Sequence, residues 1–492
     1  MNKNVIIIGS GIGGISTALR LQNIGYKVTI LEKNNFLGGK TSSIKFKSFN
    51  FDLTATLPIL FKPYIELFND INEDINKHIK IKCIDPCYKI FFNDGNSFNI
   101  SSFIPNLKET ISNIDEDDFE NYLKLISNAN NTFNLLNNNF INKSFFKTVD
   151  LINLSNIKSL INNNYLNDSC YSYLKDNLNS KYLIKYLLFQ SMYVGISPYK
   201  SSSVFTTLPL LNHIEGSFYI EGGISAYINS LINIFKNRGG KILLNSEVTK
   251  ILFNNNKCIG VEINKQKSLL SEITVCNADY PYAINNLLPK QIDVKNKYTE
   301  KDMSCSCFIL HLALNKKIKN IGINNIILNK NFKENIEAPF NGILSSNPHL
   351  YVYCPTAIYK NSKYELLTIN IRVPNLFYNK IVWDKNTINK LYNIILKILE
   401  NKFEIKKLKR YIKFTNYLTP IDLLKNFNSY AGSSYGINHS INNLFISRPQ
   451  CKIKNLKNLY FVGASTHPGS GVSMVLNSSK IAVSEIIKDN KK

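Results

Sequence analysis

At 492 residues and 56.2 kDa the chain exceeds one simple core, so two or three packed units are expected. Its net charge of +24 and pI near 9.4 suit nucleic acid or an anionic membrane, yet only Arg20, Arg238, Arg372, Arg410 and Arg448 of its 59 cationic residues are arginines. Lysine, Asn and Ile are heavily used in every region, as in Asn128-Ala129-Asn130-Asn131, which reads as a coding bias. Nucleic-acid readers favour Arg for bidentate contacts, and no helix-turn-helix, zinc-finger or RNA-binding signature is present, so nucleic acid is not an expected partner. A lysine-rich face leaning on anionic lipid stays open.

Nine cysteines form no C-x-x-C and no Cys/His cluster with zinc spacing, so no metal is expected and the chain reads as a reduced, cytoplasmic protein. Cys305-Ser306-Cys307 alternates at strand spacing, which puts both thiols on one face. Neither a convincing signal peptide nor an uninterrupted run of about 18 apolar residues occurs, so no helix is expected to span a bilayer.

Residues 3–33 read as strand, tight turn, helix, strand. Val5 to Ile8 suit a buried parallel strand, Ile15, Ala18, Leu19 and Leu21 recur at helical spacing, Gly25 stops the helix, and Lys27 to Leu31 form the second strand. From about 101 to 185 the pattern turns helical, and Asp115-Glu116-Asp117-Asp118 supplies an acidic helix start. Residues 240–279 revert to strands. Residues 304–314 and 365–373 suggest a separate sheet, and 455–489 finish as strand, Gly-rich turn and helix.

Gly9-Ser10-Gly11-Ile12-Gly13-Gly14 fits G-x-G-x-x-G in the context its mechanism needs, after a buried strand and opening a helix. Gly9 permits the turn, Gly11 lets backbone approach a pyrophosphate, Gly14 lets helix and strand pack, and the helix N-terminus offers free N–H groups. Glu32 ends the second strand, where a carboxylate binds a ribose hydroxyl. Gly38-Gly39-Lys40 then resembles the extended fingerprint of FAD proteins related to glutathione reductase and amine oxidases. Near the other end, Asn458 to Ala464 is a strand reaching a glycine, followed by Thr466-His467-Pro468-Gly469-Ser470-Gly471-Val472 and a helical pattern. A helix starting there aims its positive end at an electron-accepting ring.

With both ends read, the chain resembles the bacterial-type carotenoid desaturases, the phytoene desaturase family, over nearly its whole length. The resemblance rests on Asp85 to Ile90, Phe189 to Pro198, Glu215-Gly216 with Tyr219 and Gly222-Gly223, Asn277-Ala278-Asp279, Met303 to Ser306, Thr419-Pro420 and, most specifically, Gly463 to Gly469. It implies an α/β fold in which residues 1–70, 220–290 and 445–492 form a discontinuous Rossmann-like FAD-binding domain. Residues 71–100, 195–219 and 291–444 form a mixed-sheet substrate domain, and 101–194 a helical membrane-associating segment. It implies that Gly9, Gly11, Gly14, Glu32, Gly39, Lys40, Val248 and Gly463 hold FAD, Val248 through its backbone against adenine, with Gly471 and Val472 against the flavin. One departure is Asp52-Leu53-Thr54-Ala55-Thr56, where the family usually shows Asp-x-Gly-Pro-Thr, and it puts the isoalloxazine contact there in question.

The activity so implied is stepwise desaturation of a lipid-soluble linear polyene, 15-cis-phytoene towards lycopene foremost, by hydride transfer to flavin and loss of a proton from the neighbouring carbon. A delocalised allylic cation requires no strong base, and none is assigned; His467 is the one candidate in the closing motif. The expected setting is cytoplasmic, peripheral to the inner face of the membrane, with quinone or oxygen as electron acceptor. Open alternatives are a diapophytoene desaturase, a later-step carotenoid dehydrogenase, a carotene isomerase, or a non-catalytic prenyl-chain-binding relative.

Overall fold

Asn4–Ile8 carries four consecutive apolar β-branched residues, a pattern suited to a strand covered on both faces. The computed structural model describes residues 3–146, 168–292, 294, 298–299, 301–359 and 361–491. In it this strand is the centre of a five-stranded sheet ordered Leu459–Phe461, Ile273–Cys276, Asn4–Ile8, Lys27–Leu31, Lys241–Leu243, with every pair parallel. The Ile12–Asn23 helix packs on the closing helix Val472–Asn490. Arg20, buried between them, pairs with Asp70 at 2.8 Å and donates to the Leu476 carbonyl, joining chain start to chain end. Gly25 ends the first helix at φ +90°, and its amide and that of Tyr26 donate back to Gln22 and Leu21.

The second sheet is mixed and seven-stranded: Ile412–Leu418, Ser306–Leu314, Glu365–Val373, Leu350–Tyr353, Asn324–Ile327, Tyr88–Phe91, Ser97–Ile100. Its pairs are antiparallel except that Asn324–Ile327 runs parallel to Tyr88–Phe91. Strand alternation sorts its two faces. Phe308, Leu310, Leu312, Leu367, Ile369 and Ile371 point outward and are covered by Leu391, Ile395, Leu396 and Leu399 of the helix Lys385–Lys402. Each of those four buried leucine and isoleucine side chains contributes about 1.5–3 kcal/mol. The inward face carries Cys307, Ile309 and His311, with Asn370 and Arg372 beside them, and looks towards the first sheet.

The region read as helical contains Ile104–Ser112, Asp118–Leu136, Cys170–Asn177 and Lys181–Ser191; its residues 147–167 lie outside the described residues. Asp118 is fully buried, and its carboxylate accepts the amides of Asn179 at 2.8 Å and Ser180 at 2.6 Å, so the acidic helix start also fixes the start of a later helix. These helices share one apolar cluster with Tyr351 and Tyr353 of the mixed sheet. The hairpin Ser43–Phe46 and Phe49–Asp52 sits on that sheet too, Phe51 stacking on Phe414 with ring centroids 5.6 Å apart. Among the described residues no helix is long and apolar enough to cross a membrane.

Candidate functional site

Parallel strands deliver their carboxyl ends to one edge. Ile8 runs into Gly9, Leu31 into Glu32, Cys276 into Asn277 and Phe461 into Val462-Gly463, and an open cleft with about 1050 Å³ of empty space lies along that edge. This is where ligands enter open α/β sheets. Seven of the residues singled out from sequence line the cleft: Gly9, Gly11, Glu32, Gly39, Lys40, Val248 and Gly463. Gly14, His467, Gly471 and Val472 are not in that wall.

Gly14 acts from beneath. A Cβ there would stand 2.1 Å from the Gly9 carbonyl, so the helix could not pack on the turn. Gly39 brings the second glycine pair against the first: its added Cβ would meet Gly11 Cα at 3.3 Å. Ser10 locks the two together, donating its hydroxyl to Glu32 Oε2 at 2.7 Å while accepting the Gly38 amide at 3.2 Å. Glu32 also accepts the Ser10 amide at 2.9 Å and, on Oε1, the Asn34 amide at 3.0 Å.

Three long helices begin at a glycine: Ile12–Asn23 at Gly11, Ile224–Asn237 at Gly223 and Val472–Asn490 at Gly471. The middle one is occupied. Asp52 accepts the Ile224 amide at 3.1 Å and the Ser225 amide at 2.9 Å, and a Cβ on Gly223 would lie 2.1 Å from its carboxylate. Gly11 and Gly471 have no side-chain cap, so the first-turn N–H groups of both helices are left for another acceptor. Nothing lies within 4 Å of a Cβ built on Gly471.

The charge around the cleft matches an anionic occupant. Lys40 is half-buried and, among the described residues, donates to the Ser429 hydroxyl and the Ser434 carbonyl; desolvation pushes its ammonium down, with Asp279 opposing. Asp279 is already engaged by the Tyr430 amide at 2.8 Å and the Ser465 hydroxyl. Glycine cradle, half-buried cation and two uncapped helix ends together fit the diphosphate and ring of FAD.

Around the closing motif the structure separates two histidines. His467 turns away from the cleft wall, Nε2 donating to the Phe140 carbonyl at 2.9 Å and its ring edge-on to Phe145. Burial holds it down to about 4. It therefore ties the motif to the helical region, and its place gives no support to a base. His439, which sequence reasoning passed over, holds the turn itself: Nδ1 donates to Val194 O at 3.0 Å and Nε2 accepts the Ser470 amide at 3.3 Å. A Cβ on Gly469 would meet that Nε2 at 2.4 Å.

Arg448 was also missed as a site residue. It is buried and donates to five backbone carbonyls, those of Ile437, Asn438, Asn443, Ala464 and Thr466. Burial pushes it down to about 10, with Tyr298 and Asp279 opposing. The altered 52–56 stretch keeps its Asp as the helix cap, while Thr54 donates to the Lys40 carbonyl at 2.8 Å and Thr56 meets Tyr351. Asn277, from one of the fingerprint segments, completes the cleft wall together with Glu247 and Asn428, whose segments carry no local fingerprint.

Residues 12–290 match the family model described as flavin containing amine oxidoreductase. A 4,4'-diapophytoene desaturase (4,4'-diaponeurosporene-forming) of Staphylococcus haemolyticus is 27% identical over 498 residues, covering 99% of both chains. An oxidoreductase from Methanosarcina mazei has the same fold with a TM-score of 0.64 at 16% identity, over 99% of this chain and 100% of that one. Cyclohexylamine oxidase from Brevibacterium oxydans superposes with a TM-score of 0.62 at 12% identity over 100% of both.

Proposed function

The chain belongs to the flavin-containing amine oxidoreductases, and from that premise we propose that it desaturates a linear carotenoid precursor, 4,4'-diapophytoene first and 15-cis-phytoene second. It is an FAD-dependent oxidoreductase of carotenoid-desaturase type, acting on CH–CH groups. The observation that carries the substrate class is the end-to-end likeness to diapophytoene desaturases, 99% of each chain. That likeness moves diapophytoene ahead of phytoene, which the sequence motifs alone had put foremost.

Bound in the cleft, FAD would supply the two-electron oxidant for the allylic carbon of the polyene. The chain's residues do the rest. On this reading the Gly9–Gly14 turn receives the diphosphate, Glu32 the ribose hydroxyls, the Val248 backbone the adenine, and Lys40 balances negative charge. Gly463, Gly471 and Val472 lie at the ring end, where the uncapped closing helix presents its N–H groups. His439 holds that turn in shape by accepting the Ser470 amide. The proton lost as the double bond forms leaves from a carbon beside a delocalised cation, and no side chain is assigned as its acceptor.

A lipid-soluble substrate calls for a docking face. Phe103 and Ile104 of the helical region and Ile214 of the neighbouring helix Thr207–Glu215, at 60%, 41% and 45% exposure, are apolar side chains of segments joined where His213 donates to the Ser101 carbonyl. They support peripheral docking on the inner face of the membrane. Flotation with anionic liposomes at low salt tests it, and a protein that stays with the soluble fraction argues against it.

Coexpression with enzymes that make diapophytoene or phytoene, followed by pigment chromatography, tests the activity. Conversion to more conjugated products is expected, with the diapophytoene strain converting more completely. If both precursors accumulate untouched while the purified protein is yellow with flavin, the substrate reading falls and the flavoenzyme stands.

A further inference from the structure

Glu365–Val373 is a central strand of the mixed sheet, yet Asn370 and Arg372 on its inward face are only half-buried. Packing against the first sheet therefore does not close over these two side chains, which leaves room for a guest against that face. Arg372 stands there between two rings, its guanidinium carbon 5.8 Å from the Tyr193 centroid and 5.3 Å from that of Tyr435. It donates to Asn370 Oδ1 at 2.6 Å and to Cys307 Sγ at 3.3 Å, and among the described residues no carboxylate pairs with it. Its Nε is shielded from solvent and has no hydrogen-bond partner among the described residues, while the Tyr193 hydroxyl faces that of Tyr88.

A hydrocarbon has no use for such groups. A half-buried cation whose shielded N–H has no acceptor is costly unless something accepts from it. Two aromatic rings flanking the guanidinium favour a flat guest whose oxygen can accept from it. We propose that Tyr193, Arg372 and Tyr435 form a subsite for the oxygen of a planar conjugated carbonyl. This rests on the desaturase reading and extends it: the pocket admits an oxygenated partner as well as a hydrocarbon. Two molecules carry that chemistry, a polyene with an oxidised end and a quinone ring, and both reach the protein through lipid.

The test uses the purified flavin-loaded protein in detergent and equilibrium dialysis with two probes, all-trans-retinal and 1,4-naphthoquinone. Wild type binds at least one of them, and the one bound identifies the source. R372M weakens that binding about tenfold or more, the loss expected for one hydrogen bond from a charged group. R372K, which keeps the charge but not the fork, restores part of it. Squalene, a hydrocarbon probe, binds wild type and R372M alike. Y435F keeps the ring and serves as the second variant should R372M lose its flavin: it binds the chosen probe as wild type does, whereas Y435A loses it.

Wild type binding neither probe, or R372M binding both unchanged with its flavin intact, overturns the proposal and leaves Arg372 a tether for Asn370 and Cys307. Failure of the desaturase reading looks different: carbonyl binding stays dependent on Arg372 while neither carotenoid precursor is converted.

Discussion

The Asp52 carboxylate accepts the Ser225 amide at 2.9 Å, so the segment that departs from the family pattern is bonded to the first turn of the helix Ile224–Asn237. Burial raises the Asp52 carboxyl from 3.8 to about 7, with the Ser225 and Ile224 bonds opposing. A folded-state value above the unfolded one means the native state holds the proton more tightly. That contribution to stability is complete below pH 3.8 and is lost as pH rises to about 7. Asp52→Asn removes the loss, so its denaturation midpoint should gain on wild type between pH 5 and pH 8. Asp52→Ala lacks the acceptor and should be less stable than Asp52→Asn throughout, by about 1 kcal/mol. Urea midpoints across that range decide it, and a constant gap between Asn variant and wild type would mean Asp52 does not titrate there.

The histidines predict the opposite slope. His213, His311, His349 and His467 are each held down to about 4 by burial, and His439 is held well below its ordinary value. Each donates one ring N–H to a backbone carbonyl, those of Ser101, Asp52, Phe332, Phe140 and Val194, as a neutral ring can. Their depressed values give stability that is present above pH 6.5 and lost as pH falls towards 4. Five such groups outweigh one aspartate. Denaturation midpoints should therefore fall steeply from pH 7 to pH 5. His213→Gln should flatten that fall, since Gln keeps a donor for Ser101 and an acceptor for Tyr122 without titrating.

Glu32 and Gly14 separate cofactor contact from packing. Glu32→Gln keeps an acceptor for the Ser10 amide but removes the charge, so the fold should survive while FAD affinity drops about tenfold or more. Gly14→Ala places its Cβ 2.1 Å from the Gly9 carbonyl and should lower thermal stability and flavin content together. Flavin absorbance per protein, with melting curves of the same samples, reads both effects. Equal melting of wild type and Gly14→Ala would contradict the packing role.

What could be read from sequence was local. Gly9, Gly11, Gly14, Glu32, Gly39 and Lys40 lie within 32 residues of one another, and their spacing encodes turn, strand end and helix start directly. Val5 to Ile8 declared a buried parallel strand by composition alone. The alternation in 304–314 and 365–373 announced a second sheet, but its mixed order and inward face depend on long-range pairing, Ile309 with Leu418 and Asn325 with Lys89 among them. His439 and Arg448 were illegible for the same reason. Their work is done on Val194, Ser470, Ala464 and Thr466, and no pattern around either residue marks it. His467 drew attention because it sits in the most specific motif, yet its ring points to Phe140, a direction that spacing cannot encode.

Arg448 offers the sharpest test of how the closing motif is held. Two of its five carbonyl partners, Ala464 and Thr466, belong to that motif, and the other three belong to the 437–443 segment that also carries His439. A planar guanidinium reaches all five because its donors are fixed in a fork; a lysine ammonium has three donors at one point. Arg448→Met leaves the five carbonyls without that donor and should cost on the order of 3–5 kcal/mol, the range for breaking a buried charged network. Arg448→Lys should fold but hold the two segments less firmly, with lower flavin content than wild type and partial recovery when FAD is in excess. Melting curves with and without added FAD check this: a Met variant as stable as wild type would show that the turn keeps its shape without Arg448, and would leave His439 as its support.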